Sequence, residues 1–200
     1  MHEVRTCGEW KFRIPLDDPS CIELFRTSGT LGMPVVLHLD VPYLFDGRGG
    51  HLYRKNWCGG TVDNLERALQ ACPETIFIGH APGFWREISG DAATDPAIYP
   101  RGSVTKAARL YELFDRYPNL FTDLSAGSAL YALKRDPAHA EAFICSFSDR
   151  LLFGRDYYGS ELMDFLKSLS IPNDKWNKLF HGNAERLVPP DAEEPLNPMN

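Results

Sequence analysis

Pro34-Val35-Val36-Leu37-His38-Leu39-Asp40 is the stretch on which the fold turns. Its apolar body is too short for a helix and carries paired β-branched residues, so it reads as a buried strand of a parallel sheet. The run ends in polar residues. Thr75-Ile76-Phe77-Ile78-Gly79-His80 has the same plan, an apolar body closed by histidine. Leu120-Phe121-Thr122-Asp123 and Leu151-Leu152-Phe153-Gly154, with Asp156 just beyond, are two more.

Between these strands lie helical patterns. Residues 21–28 form one, closed by Gly29 and Gly32. Residues 61–72 form a second, capped by Thr61, with Asp63 in its first turn and Leu65, Ala68 and Leu69 on one face. Residues 104–117 follow, with Ala108, Leu110, Tyr111 and Phe114 as the apolar stripe, then 137–147, 160–169 and 174–187. A strand over 9–14 opens the series. Strand and helix alternate throughout, which predicts an α/β fold with helical crossovers. One domain is expected over residues 1–188, with a frayed Pro-rich, acidic tail over 189–200.

Composition narrows the function classes. The chain has 200 residues, 44% hydrophobic and 24% charged, with a formal charge of −6. Acidic and basic residues are mixed and form no basic stripe, which argues against nucleic acid as a partner. No apolar run has membrane-spanning length, and the N-terminus lacks a signal-peptide pattern. The five cysteines (7, 21, 58, 72 and 145) form no CxxC pair. A cytoplasmic location is therefore expected.

Two connections are unusually long. Residues 41–60 and 81–102 each run to about twenty residues, against about 2–6 for an ordinary strand-to-helix loop. Both follow the C-terminal end of a strand, where parallel α/β folds place their ligands. Their aromatic content predicts an ordered pocket wall that includes Trp57 and Trp85. Arg54, Lys55 and Arg86 are candidates for anchoring a substrate carboxylate, each with an ordinary solvated-surface alternative.

The polar strand ends carry the chemistry. Alternation puts Val36 with His38, Ile78 with His80, and Phe121 with Asp123 on common faces. The steps from His38 to His80 to Asp123 to Asp156 are 42, 43 and 33 residues, which suits βα units of a (β/α)8 barrel lengthened by the two loops. Imidazole and carboxylate together suit a divalent cation that keeps a position open for water. Asp123 could instead cap the following helix or bind a backbone amide. His181 is expected to be structural, His51 a rim contact or exposed, and His2 and His139 surface residues.

The ordered motifs PVVLHLD, TIFIGHAPG, YPNLFTDLSA, RLLFGRDYYG and HGNAERLV resemble the amidohydrolase-related (amidohydrolase 2) family of metal-dependent hydrolases and non-oxidative decarboxylases. The resemblance runs from about Gly8 to Val188. It implies that His38 is a metal ligand, that His80 is the catalytic acid/base or a second ligand, and that Asp156 is a ligand or the catalytic base. Zinc is the implied ion, with manganese or iron as alternatives. Asp123 has no general catalytic role in that family. The implied activity is hydrolysis of a C–N or C–O bond of a small molecule by metal-activated water. Loss of CO2 from an aromatic or unsaturated acid is the alternative. The family opens on a His-x-His strand that has no counterpart here. The expectation is thus a partial TIM barrel, strands four to eight, with the first three absent and activity dependent on them. A non-catalytic remnant that oligomerises or completes a partner is the other reading, and a homo-oligomer is expected.

Overall fold

The structure is a computed structural model and describes residues 5–40, 43–45, 51–53, 59–95, 97–106 and 108–189. Five parallel strands make the central sheet: β1 (Cys7–Trp10), β2 (Val35–His38), β5 (Phe77–His80), β6 (Leu120–Leu124) and β7 (Leu151–Phe153). Their spatial order is β1-β2-β5-β6-β7, so each strand neighbours the next in chain order through a helical crossover. A short antiparallel pair, β3 (Tyr43–Phe45) and β4 (His51–Tyr53), occupies part of the first long connection.

The two faces of this sheet differ in burial. Val35, Leu37, Phe77, Leu120, Leu124 and Leu151 have no exposed surface. They face the helices α1 (Pro19–Thr30), α2 (Val62–Ala71), α4 (Arg109–Arg116) and α6 (Pro137–Phe147), whose Phe25, Leu65, Leu113 and Phe143 join the same core. Burying each such side chain contributes about 1.5–3 kcal/mol. The alternate residues, Val36, His38, Ile78, His80, Phe121, Asp123 and Leu152, line the opposite face.

Caps set the helix boundaries. The Asp18 side chain accepts from Ser20 N at 2.9 Å ahead of Pro19, and α1 ends before Gly32 at φ 67°. Thr61 and Asn64 form a reciprocal capping box on α2. Asp136 caps α6 through His139 N at 3.2 Å.

Several expected boundaries move. The first strand lies at Cys7–Trp10 and not at 9–14, because Phe12 O and Leu16 N bond Gly59 at 3.1 Å each and leave the sheet. The helix expected from 104 begins only at Arg109. Val104 N is taken by Asp136 Oδ2 at 3.2 Å and Thr105 N by Ser89 Oγ at 3.0 Å, so neither enters a helical ladder. The second long connection is ordered by α3 (Pro82–Trp85) and a 3-10 turn (Arg86–Ile88). Helix α5 (Ala126–Lys134) occupies a stretch to which the sequence pattern assigned no element. After α7 (Glu161–Lys167), α8 (Asn173–Asn177) continues through a π segment (Lys178–Gly182) into α9 (Asn183–Leu187).

Among the described residues, no helix is long and apolar enough to cross a membrane.

Candidate metal centre

His38 and His80 end adjacent strands in direct register, and their rings lie 5.3 Å apart. Both are buried, at 9% and 6% exposure. Parallel pairing brings equivalent strand ends together, so the two imidazoles share one rim of the sheet. Glu9, one residue before the end of β1, joins them. Its Oε1 contacts His38 Nδ1 directly and lies 3.5 Å from His80 Nε2. One ligand atom from each of Glu9, His38 and His80 falls within 4.8 Å of the others. Two donors about 2.1 Å from a tetrahedral zinc ion sit about 3.4 Å apart, so the Glu9–His80 spacing suits a shared cation. His38 Nε2 is also 3.4 Å from Asp40 Oδ1. A carboxylate with two imidazoles is a borderline-hard set that suits zinc and related divalent ions.

Asp156 stands at the edge of this group. It follows β7 at φ 58°, and its Oδ2 is 3.9 Å from His80 Nε2. Its side chain is half exposed, more open to solvent than Glu9, Asp40 or Asp123.

His80 is held from behind. Its Nδ1 lies 3.0 Å from both carboxylate oxygens of Asp123 and 3.1 Å from Ser125 Oγ. Burial works against a charged His80 ring. The hydrogen bond and charge of Asp123, with the charges of Glu9 and Asp156, outweigh burial and hold its pKa above the ordinary histidine value. Burial likewise works to raise Glu9, but the His38 hydrogen bond and the charges of His38, His80 and Lys11 keep it below the usual carboxylate range. Glu9 is therefore ionised at neutral pH, as a ligand must be.

The amidohydrolase family profile matches residues 10–189. The chain belongs to the amidohydrolase family. Solved structures agree on the fold. An amidohydrolase from Burkholderia multivorans with bound zinc superposes with a TM-score of 0.59 at 13% identity, covering 94% of this chain and 65% of that one. An uncharacterised TIM-barrel protein from Bordetella bronchiseptica gives 0.56 at 21% identity, covering 88% and 52%. The 2,6-dihydroxybenzoate decarboxylase from Rhizobium gives 0.50 at 20% identity, covering 92% and 59%. The chain thus spans 52–65% of the length of these relatives. No curated protein sequence matches it.

The sequence-predicted residues divide among three settings. His38, His80 and Asp156 come together at the rim. Trp85 lies in the core with no exposed surface, its indole donating to Asp123 O at 3.1 Å, and with Arg86 it lines a small cavity beside Ile88, Tyr99 and Arg135, away from the rim residues. Arg86 is buried and donates to Ala92 O and Asp95 O, its second nitrogen at 2.5 and 2.7 Å, which fastens its own loop. Arg54 and Trp57 lie outside the described residues. His139, expected at the surface, is half-buried and bonds Tyr111 OH at 2.9 Å.

Glu9 and Ser125 were missed as site residues, and Asp123, weighed as a strand-end candidate, was left with a structural reading. The expected strand over 9–14 put Glu9 at its beginning, the end away from the site. The actual strand puts it near the close. Asp123 was visible through its shared face with Phe121, and its position beside His80 follows once β6 is paired to β5 at Ile78↔Phe121 and Gly79↔Thr122.

Proposed function

We propose that the chain carries the metal-binding rim of a metal-dependent hydrolase acting on a C–N or C–O bond of a small molecule. The convergence of Glu9, His38 and His80 at the C-terminal edge of a parallel sheet supports this reading above any other observation. A divalent cation bound there supplies Lewis acidity and lowers the pKa of a coordinated water toward neutrality. Glu9 and His38 would hold the ion. His80 presents Nε2 toward Glu9 and Asp156, placed to donate to the ion or to carry a proton. Asp156, half exposed with its Oδ2 3.9 Å from His80 Nε2, is the partner that exchanges that proton. Zinc is the assigned ion, supported by the donor set and by the zinc-bound Burkholderia relative.

For the fold we assign the five strands to positions four to eight of an eight-stranded barrel. Five strands cannot close at the tilt and radius of such a barrel. The shared matches at 52–65% of the relatives' length support completion by strands from outside these 200 residues, with a His-x-His pair finishing the ligand shell. The edge positions of β1 and β7 favour a second reading, a non-catalytic unit that pairs through these edges with a copy of itself or a partner. The scattered thiols of Cys7, Cys21, Cys72 and Cys145 suit a reducing cytoplasm.

The test is metal loading followed by turnover. The chain is titrated with zinc, manganese and ferrous iron, and bound metal is measured by mass spectrometry beside His38→Ala. Stoichiometric metal that is lost in the variant supports the site. Substoichiometric metal with all three ions rejects the chain as a metal-binding unit by itself. Consumption of amides or esters supports hydrolysis, whereas CO2 release from aromatic acids without such consumption rejects it for decarboxylation.

A further inference from the structure

We propose that Asp123 and Ser125 are positioning residues that fix His80 as its Nδ1–H tautomer and aim Nε2 at Glu9 and Asp156. The proposal rests on the reading of His80 Nε2 as the atom that faces the metal.

An ionised carboxylate only accepts hydrogen bonds. With Oδ1 and Oδ2 of Asp123 each 3.0 Å from His80 Nδ1, that nitrogen must carry the proton and share it between them. The neutral ring then has its lone pair on Nε2, 3.5 Å from Glu9 Oε1. Carboxylate anchoring of the remote nitrogen is how metal-facing histidines are generally oriented.

Ser125 strengthens the case by what it does not do. It occupies the N-cap position of α5, where a serine hydroxyl normally accepts from a backbone N–H one turn on. It makes no such bond. Its hydroxyl is turned back to donate to Asp123 Oδ2 at 2.9 Å, and it lies 3.1 Å from His80 Nδ1 with 1% of its surface exposed. The helix forgoes its cap while the clamp gains a donor. Nor does Asp123 cap α5 itself.

The backbone at this level is braced as well. Thr122 Oγ1 donates to Gly79 O at 2.6 Å, which ties β6 to β5 one residue before the pair. The Trp85 indole donates to Asp123 O from α3. Strand ends ordinarily fray into loops, but these two are cross-linked where the clamp sits.

The test reads the tautomer directly. The full chain, labelled with 15N-histidine and equilibrated with a chelator, is examined by long-range 1H–15N NMR at a pH where the ring is neutral. His80 is assigned by loss of its signals in His80→Gln. The expected pattern has the proton on Nδ1 and a bare Nε2. Asp123→Ala should move the proton to Nε2 or mix the two forms, and Asp123→Asn, which keeps an acceptor oxygen, should restore Nδ1–H. In parallel, zinc affinity by chelator competition should fall 10–100-fold in Asp123→Ala, and less in Ser125→Ala. A proton on Nε2 in the unsubstituted chain overturns the proposal, and this holds even if a variant fails to fold. An unchanged tautomer in folded Asp123→Ala overturns it too. Because the tautomer is read without metal, its failure is distinct from failure of the metal-site reading.

Discussion

Glu87 offers the most quantitative test of the energetics around the site. It lies on the 3-10 turn that follows α3 and thus on the connection leading away from His80. Burial pushes its carboxyl up to about 7, against the pull of Arg86 and Arg109 and with a small further push from Asp63. The folded chain therefore holds a proton there that the unfolded chain has released between the ordinary pKa near 4.5 and about 7. Unfolding releases a proton in that window, so Glu87 makes stability fall as pH rises through it and stay lowered above it. At 1.36 kcal/mol per pH unit the full cost is at most about 3.4 kcal/mol. Water reaching a partly covered side chain reduces this to about 1–3 kcal/mol. Glu87→Gln removes the titration while keeping the shape. Urea unfolding of parent and variant at pH 4.5, 6 and 8 should show little difference at the lowest pH and a gain for the variant at pH 8. The corresponding rise in Tm is about 3–10 °C for a chain of this length. The paired design cancels Glu9, Asp17, Asp91 and Asp149, whose lowered values act with the opposite sign. A gain that is the same at all three pH values, or a loss at pH 8, would refute the reasoning.

The remaining predictions concern the rim and its supports. His38→Ala should cost more zinc affinity than Asp156→Ala in the same chelator competition, because His38 is buried against Glu9 while Asp156 is half exposed. Gly79→Ala should destabilise by about 1–3 kcal/mol, since a Cβ there would lie 2.2 Å from the Phe84 ring; chemical denaturation checks it. Arg135→Ala should open the 91–103 connection to limited proteolysis before the rest of the chain. That guanidinium, bonded to Asp91 and to the carbonyls of Arg101, Gly102 and Ser103, is its main tie. Chelation should leave far-UV circular dichroism intact while lowering Tm by about 5–10 °C, the effect of losing a ligand held at about 100 times its Kd.

Much of the fold was legible because the strands are apolar runs of strand length. Residues 34–40, 75–80 and 120–123 could be located from composition alone, and the helix Pro137–Phe147 was placed to the residue between Asp136 and the next polar cluster. What escaped was decided by tertiary bonds. Val104 and Thr105 carry helical periodicity, yet their amides are taken by Asp136 and Ser89. The start of α5 is made of small residues whose value is close packing, and Ala129 is wholly buried. His38 and His80 were readable because histidine at the end of an apolar strand is conspicuous. Glu9 was not, since its role depends on a strand boundary two residues earlier than expected. Trp85 was readable as a wall residue because loop aromatics often are; that the loop folds into α3 and turns the indole inward to Asp123 O was not.

The uneven burial of the sheet explains why such a rim can exist. Six side chains on the helix-facing side are fully buried, so that side carries the hydrophobic stabilisation. The other side is then free to end its strands in Glu9, His38, His80 and Asp123, groups that would be costly in a core unless paired. They are paired with one another: His80 to Asp123, and His38 to Glu9. This mutual satisfaction leaves His80 Nε2 facing inward without a hydrogen bond to compete for it at closer than 3.5 Å among the described residues. A nitrogen whose ring is fixed from behind and whose lone pair is left available is what either role of His80 requires. Either role would leave the ring where Asp123 and Ser125 hold it, so ligand and proton carrier differ in what Nε2 meets and not in how the ring is placed.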